Sequence, residues 1–92
     1  MDFEDSELNP ASRELLSAVE AQIASPETPY VAETAERLRK EVPDLEEGEE
    51  KRLIAYCLLD EMDRLIVEER GFDEKRYQNM LGLLPVMPEN SR

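Results

Sequence analysis

The 92 residues predict an all-α fold, an antiparallel bundle of about four helices with a long, central third helix. Three observations carry this expectation. Apolar residues are 40% of the chain, but the aromatics are only two Phe and three Tyr, so the core must be mostly Leu, Ile, Val, Ala and Met. That mixture suits helices better than a β-sandwich. Apolar residues recur at helical spacing in several separate stretches, no stretch reads as a strand, and Pro, Gly and capping residues punctuate the intervals.

Each element follows in order. Residues 1–8 read as an acidic, flexible N-terminus, residues 9–85 as a single helical-bundle domain, and residues 86–92 as a C-terminal tail. Asn9-Pro10 is a helix start, because Asn caps and Pro at the first helical position loses no needed donor. Leu15, Leu16, Val19 and Ile23 follow at helical spacing until SPETP (25–29) breaks the pattern. Thr28-Pro29 repeats the start signal. Val31, Ala35, Leu38 and Val42 then form a narrow apolar stripe. Arg37, Arg39 and Lys40 sit in the last turns of that helix, where cations favour its dipole, and Pro43 stops it. Asp44 with Glu47 resembles a capping box, whereas Gly48 points to a start near Glu49. The third helix runs to about Arg70, with Gly71 as its stop. Asp73 caps a fourth helix whose Tyr77, Met80, Leu81 and Leu84 share a face, and Pro85 and Pro88 end it.

The third helix is the informative one. Ile54, Ala55, Leu58, Leu59, Met62, Leu65 and Ile66 fall within one arc of about 140°, which is the expected core face. Asp60, Asp63 and Arg64 point away from it and are expected in water, while Glu61 at the edge is the one that burial can reach. Leu53, Tyr56, Cys57 and Val67 lie outside the arc, so the helix is apolar over more than one side. A helix of this kind is central to a bundle or covered by a second molecule. These four residues are the candidate interaction residues.

Charge narrows the functions. Eleven basic against 23 acidic residues leave a net charge of −12, which repels phosphate backbones and anionic membranes. Neither nucleic acid nor membrane is an expected partner; a homodimer or a basic protein partner is. No apolar run approaches the roughly 20 residues that span a bilayer. The acidic start is unlike a signal peptide, and one cysteine makes no internal disulfide, so a cytoplasmic location is expected.

The order NP, a helix with Gln, a Pro-initiated helix, a long helix, then DE-x-x-Y-x-x-x-L resembles a bacterial domain family of unknown function. The matching residues are Asn9, Pro10, Gln22, Pro29, Asp73, Glu74, Tyr77 and Leu81, so the resemblance covers residues 9–81. Members of that family look like NP-x-x-H-x-x-x-H early and H-x-x-x-H on the long helix, paired histidines that can hold a metal between packed helices. This chain has no histidine, and Arg13, Ser17, Gly48 and Arg52 stand at the four places. A metal held by those ligands is therefore not expected here, and no cofactor is.

The remaining chemistries are thin. Cys57 lacks a histidine to activate it and sits among apolar neighbours, so a packed or interfacial thiol is the preferred reading. Three glycines make no phosphate-cradling loop, and Ser, Thr and Lys show no triad pattern. Tyr30 and Tyr77 read as packing residues, and Arg37, Arg39 and Lys40 as dipole compensation. An enzyme is not expected. The leading expectation is a non-catalytic helical protein-interaction module. Its rivals are a carboxylate-based metal-binding or enzymatic bundle using Glu61 with Glu20 or Glu69, and an acidic inhibitor covering a basic partner site.

Overall fold

The computed structural model describes residues 10–86. It holds four helices: α1 (Pro10–Ala24), α2 (Pro29–Glu41), α3 (Glu49–Glu68) and α4 (Glu74–Leu83), with no strand among the described residues. The expected N-terminal segment 1–8, the Asn9 cap, and the tail from residue 87 onward lie outside the described residues. The all-α bundle is the observed architecture, and α3 is its centre: α1, α2 and α4 all pack against it, and α2 also meets α4.

Local chemistry explains the boundaries. Pro29 opens α2, but Thr28 does not cap it as expected; its hydroxyl donates instead to the carbonyl of Gln22 at 2.8 Å, tying the turn back to α1. The Val42 N–H donates to the Leu38 carbonyl at 3.0 Å before Pro43 ends the helix. Of the two starts open for α3, the later one holds. Gly48 takes a left-handed conformation (φ 82°), which suits a residue without Cβ, and Glu49 begins the helix while accepting from the Glu46 N–H at 3.1 Å. Asp73 caps α4 as expected, accepting from the Arg76 N–H at 3.1 Å.

The end of α3 differs from expectation. Glu69, not Gly71, adopts the left-handed conformation (φ 54°). The Glu69 N–H donates to the Ile66 carbonyl at 3.3 Å and the Arg70 N–H to the Leu65 carbonyl at 3.1 Å. This pair of bonds satisfies the last carbonyls of the helix in the Schellman pattern.

The core gathers Val19 of α1, Val31, Ala35 and Leu38 of α2, Ile54, Cys57 and Leu58 of α3, and Tyr77, Leu81 and Leu84 from the α4 region. The stripe expected on α2 is thus the buried one, with Val42 half-buried at its end. On α3 the buried face is rotated by roughly 90° from the expected arc. Leu59, Met62 and Ile66 are exposed, while Asp60 and Glu61 are buried at 4% and 0% exposure. Asp60 is therefore not on the wet side of the helix. The reason lies outside α3, in two arginines that arrive from the following turn and helix.

Arg37 also does more than compensate its own helix dipole. Its guanidinium donates to the carbonyls of Leu81 at 2.9 Å and Leu84 at 3.0 Å, so it caps the end of α4. Arg39 reaches across to the buried Glu50 at 2.9 Å.

Candidate functional site

Two features of α3 compete for a functional role, and their geometry separates them. The first is the buried carboxylate cluster. Glu61 Oε2 accepts from Arg70 Nη1 at 2.6 Å and from the Asp73 N–H at 2.7 Å. Its Oε1 accepts from Arg76 Nη1 at 2.8 Å and Arg70 Nη2 at 3.2 Å. Asp60 Oδ2 accepts from Arg76 Nη2 at 2.6 Å, and Asp60 Oδ1 has no protein partner. One bidentate arginine and one bridging arginine thus bind α3 to the chain that follows it.

This cluster is chemically quiet. Hydrogen bonds from Arg70, opposed by burial and helped by the Asp73 N–H and Arg76, hold the Glu61 carboxyl down at about 2. Both of its oxygens are occupied, so it stays an anion and has no proton to give near neutral pH. Burial, and then the Asp60 charge, push the neighbouring Cys57 thiol up to about 12, which keeps it protonated and unreactive. Tyr77 is buried, with its hydroxyl donating to Gln22 Oε1 at 2.7 Å. Tyr30 donates to Glu74 Oε2 at 2.7 Å, and its phenol is raised to about 12 by burial first and then by that carboxylate. Phe72, Tyr77 and Tyr30 stack edge to face, at 5.4 Å and 6.1 Å. These groups fasten helices together.

Five of the eight residues on which the expected resemblance rests have identifiable structural places. Gln22, Glu74, Tyr77, Asp73 and Leu81 are respectively an acceptor for Tyr77, an acceptor for Tyr30, a buried ring, a helix cap and a core residue. Their roles are architectural. Arg13, Ser17 and Arg52 are exposed and Gly48 forms the left-handed turn, so the four positions expected to correspond to histidines hold no clustered ligand set. Among the described residues no group of three or more Cys, Asp or Glu side chains is placed to hold a metal. Glu20 pairs with Lys51 at 3.2 Å and Glu69 is exposed, so neither joins Glu61 in one cluster.

The second feature is the outward face of α3. Tyr56, Leu59, Met62, Ile66 and Val67 are 55%, 39%, 40%, 69% and 74% exposed. They succeed one another along more than two turns of a single helix and form an apolar surface that the exposed Asp63 interrupts. After Glu61 no residue of α3 is buried, and its last two turns stand clear of the core.

Of the four residues singled out from the sequence, Tyr56 and Val67 are on this surface. Leu53 is half-buried against the core, and Cys57 is wholly inside it, which corrects its expected outward position. Leu59, Met62 and Ile66 take their place. The apolar residues of α3 fall on two faces, and amphipathicity alone does not say which is covered; the arginines at 70 and 76 decide it by drawing Asp60 and Glu61 inward.

No family model matches the chain, and no curated protein or solved structure matches it. No helix among the described residues is long and apolar enough to cross a membrane.

Proposed function

We propose that the protein is a bacterial, non-catalytic helical interaction module that acts in the cytoplasm through the outward face of α3. The observation that carries this reading is the run of exposed apolar side chains from Tyr56 to Val67. Covering apolar surface is worth about 25 cal/mol per Å², so a partner that lies along this face gains affinity directly from it. The buried carboxylates and the protonated Cys57 supply no competing chemistry. Two kinds of partner suit the face. The net charge of −12 favours a basic protein, and the local charges on the face itself favour a second copy.

The test compares the parent protein with an Ile66→Glu, Val67→Glu double variant. Both substituted positions are exposed, so circular dichroism is expected to be unchanged. The parent is expected to self-associate in sedimentation or to retain a protein from extracts of its own cells, and the variant to do neither. A parent that does neither, or a variant that binds as well as the parent, ends the reading.

A further inference from the structure

The outward face of α3 carries a pattern that specifies its partner, and the inference rests on the interaction reading above. Arg52, Tyr56, Leu59, Asp63 and Ile66 are all exposed and lie within an arc of about 80°. The two charged members bracket an apolar pair. Arg52 stands one turn before Tyr56, and Asp63 one turn after Leu59.

Two copies of α3 laid antiparallel about a twofold axis use all four residues at once. In the register that sets Arg52 against Asp63 of the second copy, Tyr56 falls against Leu59 of the second copy, because both pairings are centred midway between residues 57 and 58. The symmetry repeats each contact. The charged pairs then stand about 16 Å apart along the helix, at the two ends of an apolar centre. A parallel arrangement would instead place Arg52 on Arg52 and Asp63 on Asp63. We propose that the partner of this face is a second copy of the chain, joined antiparallel through α3, with Arg52–Asp63 pairs closing both ends of a Tyr56–Leu59 centre.

The division of labour follows from the chemistry. The apolar residues provide the affinity, and the exposed ion pairs, individually weak, set direction and register by making the alternatives repulsive. This is the logic by which flanking charges choose orientation in coiled coils.

Sedimentation velocity on the full chain at about 0.15 M salt tests the pairing across a concentration series. The samples are the parent, Arg52→Asp, Asp63→Arg, and an equimolar mixture of the two variants, each checked for helix content by circular dichroism. The parent is expected to dimerise. Each variant alone faces like charge at both ends and is expected to bind about tenfold more weakly. In the mixture every end again meets its opposite, and dimerisation returns.

Asp63→Arg is the decisive sample. It lowers the net negative charge, so general repulsion alone would make it associate more tightly than the parent. A tighter Asp63→Arg dimer, or a mixture no tighter than its components, overturns the pairing. So does a parent that remains monomeric at every concentration. If such a monomer still retains a protein that the Ile66→Glu, Val67→Glu variant loses, the interaction module stands and the second copy is not its partner.

Discussion

Glu61 is the side chain through which α3 holds the next helix, and it makes stability depend on acid. Its carboxyl titrates at about 2 in the folded chain against 4.5 in the unfolded one. The unfolded state therefore binds more protons in that interval, and folding loses stability as pH falls. The contribution is complete above the unfolded value and disappears as pH drops through the folded one. Thermal unfolding is expected to be steady above about pH 5.5 and to move to lower temperature toward pH 2, with a shallower slope in Glu61→Gln. Replacing Glu61 by Ala removes the carboxylate that Arg70 and Arg76 share, leaving them Glu68 and Asp60 respectively, and is expected to cost about 3 kcal/mol by urea unfolding. A variant as stable as the parent would show that the pairs hold nothing. Cys57 gives a second reading at this scale. With its thiol raised and its side chain buried, it is expected to ignore disulfide reagents until the protein unfolds. Rapid labelling of the folded chain would contradict that burial. Part of this was legible in the sequence: Glu61 stood out as the acid that burial could reach. Asp60 did not, because acids are usually wet and its partner Arg76 comes 16 residues later, where no periodicity of α3 records it.

At the scale of the element, punctuation was the readable part. Pro10, Pro29, Pro43 and Asp73 mark helix ends because each restricts or satisfies backbone groups locally. Gly71 misled for the same local reason: a glycine is the usual left-handed stop, but the chain turns two residues earlier, at Glu69. A side chain in that conformation costs roughly 1 kcal/mol. Glu69 also adds negative charge at the negative end of the helix dipole, whose last turn has no basic residue. Glu69→Gly is expected to stabilise the protein by up to about 1 kcal/mol in urea unfolding. A loss of stability instead would mean that the Glu69 side chain makes a contact worth more than the strain. The covered face of α3 was the least legible feature, since Leu58 and Leu59 are equal in hydropathy and only tertiary partners bury the one and expose the other.

For the whole molecule, the all-α architecture and the central third helix follow from composition and spacing, while the association of molecules depends on charge. Each copy carries −12, so two copies repel over a distance that salt controls. The screening length is about 10 Å at 0.1 M salt and about 3 Å at 1 M. The same salt weakens the Arg52–Asp63 pairs, but those are two local contacts against a repulsion shared by the entire surface. Dimerisation is therefore expected to tighten as salt rises across that range, measured by sedimentation at the two concentrations. Dissociation at the higher salt would mean that local attraction, not general repulsion, dominates the interface.

The last two turns of α3 project past the core and are latched where Arg70 folds back onto Glu61 and Glu68. Local opening there disturbs no buried residue, so it need not wait for the rest of the molecule to unfold. Backbone amides of residues 62–68 are expected to be much less protected against exchange with deuterated solvent, relative to their intrinsic rates, than those of residues 54–61, and to lose further protection as acid releases the latch. Equal protection along the whole helix would show that this end opens only with the core. Where a second molecule covers the face, those same amides should slow with protein concentration, turning a frayed helix end into a gauge of occupancy.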